Sequence, residues 1–238
     1  MLAKTRAIVL RNTNYSESSV ISKMYTREFG MRTYLLQGVK KGKSPIRPSM
    51  IMPLSLVEMD VYEKATSNLN RVKELKSSPA LLNIQDDILK KSVAMFMLEI
   101  INQCIIEEQC EAELYDFLEH QILLLEREEA LAFFPIQFML NLTPYLGVEP
   151  QGEYTEITPY FSLSEGVFVS HYGINVVDET LSSKLSLLLN ASIQNGYIIS
   201  ISGKERKDIL NILVQYFQIH ITKNKQIKSI DILAELLN

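Results

Sequence analysis

The spacing of apolar residues changes once in this chain, near Ser77, and this change constrains the fold more than any other feature. Before it, five short apolar runs rich in β-branched and aromatic residues are separated by turn residues. After it, apolar residues recur every three or four positions, as in helices. The sequence therefore predicts an α+β chain, with a β domain over residues 1–78 and an α-helical domain over residues 79–238.

The first domain is predicted to be a small closed barrel, because five strands fit into about 75 residues. One run shows the period-2 pattern of a half-buried strand, since Val57, Met59 and Val61 alternate with polar neighbours. The five runs are TRAIVLRN, SSVISKMYT, MRTYLLQGV, SLVEMDVYE and NLNRVKELK.

The second domain is predicted to hold several helices and one insert. Pro135 and Pro144 should bend or break the third helical run. The turn-rich residues 148–177 predict an irregular insert or a small hairpin. The helical runs are DDILKKSVAMFMLEIINQCIIEE, EAELYDFLEHQILLLEREEA, LAFFPIQFMLNLTPYLG, ETLSSKLSLLLNASIQN, KERKDILNILVQYFQIHI and SIDILAELL.

The two halves of the chain carry opposite charge. Residues 1–76 hold 14 Lys/Arg against 6 Asp/Glu, and the remainder holds 10 against 22, so the halves carry +8 and −12 and the chain −4. A basic module is thus joined to an acidic one, and a basic barrel suits a polyanionic ligand.

The positive charge is concentrated between residues 23 and 47, where Glu28 is the only acid. Such a run also occurs on an ordinary solvated surface, but on a small barrel it favours binding of a phosphate backbone. A P-loop is disfavoured, because position 37 is Gln and Pro45 follows Ser44. The predicted DNA-binding cations are Lys23, Arg27, Arg32, Lys40, Lys41, Lys43 and Arg47.

Four aromatic residues of the same region are candidates for stacking on bases: Tyr15, Tyr25, Phe29 and Tyr34. Half of the positions in a strand face inward, so we expect about two of the four to lie in the barrel core instead.

Four short motifs stand in order near the start of the chain: Val9-Leu10, Tyr15-Ser16-Glu17-Ser18, Thr26-Arg27-Glu28-Phe29-Gly30 and Gly38-Val-Lys-Lys-Gly-Lys43-Ser44. Together they resemble the opening of the RecO family of bacterial recombination mediators. The resemblance is specific over about the first 60 residues, and the order of barrel, helices, insert and final helices matches beyond them.

The resemblance implies an oligonucleotide-binding (OB) fold followed by a helical domain, and a protein without enzymatic activity. It implies that the protein binds single- and double-stranded DNA and anneals complementary strands. It also implies that the protein, together with RecR, helps RecA to displace single-stranded DNA-binding protein from the strands that it covers. That protein's acidic C-terminal tail would dock on the helical domain. The expected location is the bacterial cytoplasm, at the nucleoid, since no segment has the length of a membrane span.

Some members of the family hold zinc with four cysteines after a Leu-Gly-x-x-Pro turn, which here is Leu146 to Pro150. No cysteine follows this turn, and His171 alone cannot form a tetrahedral site, so we predict no zinc and no other cofactor. One zinc per chain in a metal assay would contradict this prediction.

The sequence shows no catalytic constellation. The three histidines, His120, His171 and His220, fall on separate predicted elements. Two alternatives stay open: an adaptor whose basic barrel binds an acidic protein, and, less favoured, an enzyme whose site is assembled from residues interpreted here as structural.

Overall fold

A computed structural model describes residues 1–41, 45–64, 67–105, 110–194, 201–222, 225–230 and 233. The chain divides into two compact units. The first comprises Met1–Ala94 with Ile105–Glu128, and the second Met95–Cys104 with Glu129–Asn238.

The first unit contains the predicted barrel. Its strands are β1 (Leu2–Asn14), β2 (Val20–Thr26), β3 (Gly30–Leu36), β4 (Leu56–Tyr62) and β5 (Asn70–Ser77). They close in the order β1-β2-β3-β5-β4, with β4 pairing back onto the long β1. All pairs are antiparallel except β3 with β5. The predicted fold class, a five-stranded barrel followed by helices, is confirmed.

The barrel interior is filled by alternate residues of the strands, as the period of two requires. Val57, Met59 and Val61 of β4 all point inward, as the sequence pattern predicted. The interior cluster also includes Ala7, Val9, Val20, Met24, Tyr34, Leu36, Val39, Ile46, Ile51 and Leu75.

The turn between β2 and β3 explains one motif of the sequence. The Thr26 hydroxyl donates to the Gly30 carbonyl at 2.8 Å and accepts from the Phe29 amide at 3.1 Å. Gly30 has φ of 67°, which a residue with a Cβ rarely adopts. The Thr-x-x-x-Gly spacing therefore fixes the hairpin, and with it the register of β2 and β3.

Three helices follow the barrel: α1 (Leu82–Asp86), α2 (Ile88–Cys104) and α3 (Ala112–Arg127). The first part of α2 belongs to the first unit and its second part to the second unit, while α3 belongs to the first. Glu126 of α3 accepts hydrogen bonds from the amides of Asn83 and Ile84, which fastens α1 to α3.

The second unit contains α4 (Phe134–Leu142), α5 (Glu179–Gln194) and α6 (Gly203–His220). The third helical run is broken as predicted. Pro135 lies in the first turn of α4, and Pro144 begins a separate 3-10 turn, Pro144–Leu146. Most of the final predicted helix lies outside the described residues.

The insert forms a three-stranded antiparallel sheet in the order β7-β6-β8: β6 (Tyr160–Ser162), β7 (Val167–Val169) and β8 (Val176–Val177). The predicted small hairpin is the β6–β7 pair, to which a third short strand is added. Within the part of the chain that the structure covers, no helix has the length and apolar character needed to cross a bilayer.

Candidate nucleic-acid interface

Helix α3 covers one part of the barrel's outer surface and binds Arg27 there. The Arg27 guanidinium donates to both carboxylate oxygens of Asp116, from Nε at 2.7 Å and from Nη2 at 2.8 Å. Arg6 reaches Asp116 at 3.0 Å and Glu119 at 2.6 Å. Hydrogen bonds from Arg27 lower the pKa of Asp116, so the pair stays charged. Arg27 is thus engaged within the protein.

The same contact buries Tyr25. Its ring lies 6.2 Å from the ring of Tyr115, and its hydroxyl donates to the Glu111 carbonyl at 3.3 Å. Burial raises the pKa of Tyr25 to about 12. The Arg6 guanidinium lies 5.4 Å from the centre of the Tyr115 ring, a cation–π distance.

Arg32 and Tyr34 point into the barrel instead of out of it. Arg32 pairs with Met24 across the strands, and Met24 belongs to the interior cluster. The Glu63 carboxylate accepts from Arg32 Nε at 3.1 Å, from the Tyr34 hydroxyl at 3.2 Å and from Asn70 Nδ2 at 2.9 Å. Burial and this carboxylate raise the pKa of Tyr34. These residues stabilise the end of the barrel.

A second part of the outer surface, across β1, β4 and β5, has charges of both signs. Its cross-strand rows are Lys4–Asp60–Glu74 and Arg6–Glu58–Lys76. A surface cavity of about 300 Å³ lies among these residues. Adjacent opposite charges compensate each other, so this mixed-charge face offers little attraction to a polyanion.

On a third part of the outer surface, the charged strand residues that the structure describes are two cations. Arg11 of β1 lies directly opposite Lys23 of β2, which lies opposite Thr33 of β3. Arg11 is exposed and Lys23 half-buried. Neither is ion-paired with a carboxylate of the described residues. The Arg11 guanidinium and the Lys23 ammonium group therefore remain available to bind phosphates.

Lys40 extends these cations at the turn between β1 and β2. Its backbone amide donates to the Ser18 carbonyl at 3.3 Å, and its Nζ donates to the Ser16 carbonyl at 3.1 Å. Tyr15 begins the same turn, with its amide bonded to the Ser19 carbonyl at 3.1 Å. The fold thus brings Lys40 beside the turn that holds Tyr15, although 25 positions separate them.

The remaining predicted cations lie near Lys40 in the sequence. Arg47 is exposed and precedes the 3-10 turn Pro48–Ile51, whose last carbonyl accepts a hydrogen bond from the side chain of Asn12 on β1. Lys41 ends the 3-10 turn Val39–Lys41, and only its backbone is described. Lys43 lies outside the described residues.

Arg71 is a further exposed cation that sequence reasoning missed. It pairs in register with Leu35, because β3 and β5 run parallel, and it has no acidic partner within the described chain. The paired positions of these two strands are 36 residues apart, and such a long-range parallel pairing cannot be recognised from the local sequence. We call Arg11, Lys23, Lys40, Arg47 and Arg71 the cationic face.

Two of the four aromatic candidates are buried, which is the number expected, but only Tyr34 lies in the barrel interior, whereas Tyr25 is buried on the outer side under α3. Tyr25 and Tyr34 are buried, and Phe29 is partly buried against the interior cluster. Tyr15 is 61% exposed and can present its ring to a ligand. No group of three or more potential metal ligands occurs among the residues that the structure covers.

The sequence also matches known protein families over nearly its whole length. A family model described as Recombination protein O N terminal matches residues 1–79, and one described as Recombination protein O C terminal matches residues 85–229. The chain belongs to the RecO family. The barrel is the OB-fold domain of this family, and the helices with the insert lie in the region of its C-terminal domain.

Similar full-length proteins are RecO proteins from bacteria. The DNA repair protein RecO of Phocaeicola vulgatus is 31% identical over 242 residues, and that of Flavobacterium psychrophilum is 29% identical over 239 residues; both alignments cover all of each chain. RecO of Porphyromonas gingivalis is 30% identical over 247 residues, also with full coverage. The chain is therefore a DNA repair protein of the RecO family.

Proposed function

We propose that this RecO protein is a non-catalytic recombination mediator that binds single- and double-stranded DNA through the cationic face and anneals complementary strands. The observation that carries the proposal is the segregation of charge on one barrel. Arg11 and Lys23 lie side by side without carboxylate partners among the described residues, whereas the mixed-charge face has both signs in every row.

The geometry suits binding that ignores base sequence. Lysine and arginine side chains neutralise phosphates and release counterions, and the phosphates are the same at every base. The exposed Tyr15, in the turn that Lys40 contacts, supplies a ring on which any base can stack. A mediator that handles strands of arbitrary sequence needs this combination.

The test is a double charge reversal with a matched control on the same barrel. Arg11→Glu with Lys23→Glu changes the cationic face, and Lys4→Glu with Lys76→Glu makes the same change in net charge on the mixed-charge face. We expect the first variant to bind a labelled single-stranded oligonucleotide at least about tenfold more weakly than the wild type, since phosphate contacts are lost and repulsion is added. The control should bind within about twofold of the wild type.

Equal losses in both variants would mean that only net charge matters, and the assignment of the face would be wrong. A folded wild-type protein that binds no DNA at low salt would contradict the proposed function, and an adaptor for an acidic protein would replace it.

The protein partners follow from the same proposal. We infer that the protein acts with RecR and helps RecA load on strands covered by single-stranded DNA-binding protein in the bacterial cytoplasm. For the acidic tail of that protein, the start of α6 offers the required chemistry. Lys204 and Lys207 are exposed there, and Arg206 lies 5.4 Å from the ring of Phe133. Cations beside an apolar ring suit an acidic, apolar peptide.

This tail site is tested with Lys204→Glu and Lys207→Glu combined. We expect weaker binding of a tail peptide and unchanged affinity for naked DNA, since the cationic face is untouched. A variant that binds both the tail peptide and DNA like the wild type would contradict the site at α6. A variant that binds both of them more weakly would contradict the separation of the two functions.

A further inference from the structure

An exposed aromatic side chain lies at an edge of the barrel that the cationic face does not include. Tyr62 ends β4, and its side chain points outward because Val61 before it points into the core. The residue is 49% exposed. Directly across on β1 lies Leu2, which is 50% exposed. Tyr62 and Leu2 thus form a small apolar surface open to solvent.

The charges near this surface are mainly positive: three cations lie on its β5 side and just after β4, while the next row of the same face, Lys4–Asp60–Glu74, adds one cation and two acids. Arg71 lies directly opposite Tyr62 on β5, on the side away from Leu2. Lys73 is the extra residue where the β4–β5 register shifts, and it is exposed, as is Lys64 just after β4. The nearest acid in sequence, Glu63, points inward and accepts hydrogen bonds from the Arg32, Tyr34 and Asn70 side chains instead of from these cations.

An unpaired nucleobase is the ligand that this chemistry fits. An aromatic face flanked by a guanidinium and an aliphatic side chain binds a flat, polarisable ring, and nearby cations bind the phosphates on either side of it. In duplex DNA the base faces are hidden by stacking, so a stacking site of this kind distinguishes single strands from duplexes.

The site is continuous with the cationic face. The outward row of cross-strand neighbours runs Thr13, Ile21, Leu35, Arg71, Tyr62 and Leu2 around the barrel. Leu35 in this row is buried, and Arg71 beside it is exposed and belongs to both surfaces, so Arg71 is the residue that links them.

We propose that Tyr62 stacks on one unpaired base of a single strand, with Arg71 and Lys73 binding the adjoining phosphates. This inference rests on the proposed function and adds to it a base-binding site that selects single-stranded over double-stranded DNA.

The test compares Tyr62→Ala, Tyr62→Phe and a control, Tyr172→Ala, which removes another exposed tyrosine, in the second unit. Each folded variant is titrated with a single-stranded oligonucleotide and with a duplex of the same length. Tyr62→Ala should weaken single-strand binding by about five- to 150-fold and leave duplex binding within about twofold. Tyr62→Phe and Tyr172→Ala should bind both like the wild type, because the first keeps a stacking face and the second removes none.

A 2-aminopurine base in the oligonucleotide gives a direct second readout. Its fluorescence should be quenched on binding to the wild type, and this quenching should be smaller for Tyr62→Ala. A wild type that binds DNA while Tyr62→Ala behaves like Tyr172→Ala would overturn the stacking site alone. Equal losses for single strands and duplexes would also overturn it. A wild-type protein that binds neither the single strand nor the duplex would overturn the proposed function itself.

Discussion

Removal of the Glu63 carboxylate should destabilise the barrel, because three donors meet on it in the interior. In Glu63→Ala the Tyr34 hydroxyl, which is fully buried, and the Asn70 amide both lose this acceptor, and each such loss costs about 1–3 kcal/mol. Arg32 also loses the carboxylate to which its Nε donates; loss of a fully buried ion pair costs about 3–5 kcal/mol, which is an upper bound here because the Arg32 side chain is 22% exposed. We therefore expect a loss of about 3–5 kcal/mol in the free energy of unfolding, because these two estimates describe the same site and do not add.

The assay is equilibrium unfolding in urea, followed by far-UV circular dichroism and tyrosine fluorescence. Tyr34→Phe removes one hydrogen bond and should cost about 1 kcal/mol. Glu58→Ala, on the outer face of β4, which Glu63 directly follows, should stay within about 0.5 kcal/mol of the wild type. A loss below about 1 kcal/mol for Glu63→Ala would refute the reasoning, since the stranded donors would then have found other partners.

Two further predictions concern single residues. Hydrogen bonds from Lys184 and Ser202 lower the pKa of Glu205 from 4.5 to about 2, so the ionised carboxylate stabilises the fold above pH 4.5 and this contribution is lost as the pH falls towards 2. Glu205→Gln should therefore flatten the pH dependence of the thermal midpoint between these values. An unchanged slope in that variant would contradict the prediction. Burial raises the pKa of the Cys104 thiol to about 12, whereas Cys110 is exposed. A thiol reagent should therefore modify one cysteine in the folded protein and two in denaturant. Rapid modification of both cysteines in the folded state would contradict the burial of Cys104.

The barrel could be predicted from the sequence because each strand carries its own period-2 pattern and each turn its own glycine, proline or asparagine. The five predicted runs correspond to β1 through β5 with shifts of a few residues at their ends. The helices were predictable for the same reason. These patterns are local, so no knowledge of distant contacts is needed to read them.

The site was harder to predict, because the role of each cation depends on distant partners. Arg27 and Lys23 look alike in the sequence, yet Arg27 binds Asp116, 89 positions away, and Lys23 does not. Arg32 could be placed inside only by knowing that β3 aligns it with Met24 and brings it to Glu63. Arg71 joins the cationic face through the parallel β3–β5 pairing alone.

The salt dependence of single-strand affinity tests the central claim most directly. Each phosphate contact on a single strand contributes about −0.7 to the slope of log K against log salt concentration. The variant with Arg11→Glu and Lys23→Glu should therefore show a slope at least about 1.4 shallower than the wild type, from two lost contacts. The control with Lys4→Glu and Lys76→Glu should keep the wild-type slope. A wild-type affinity that is independent of salt, or slopes that are the same in all three proteins, would contradict binding of DNA phosphates by the cationic face.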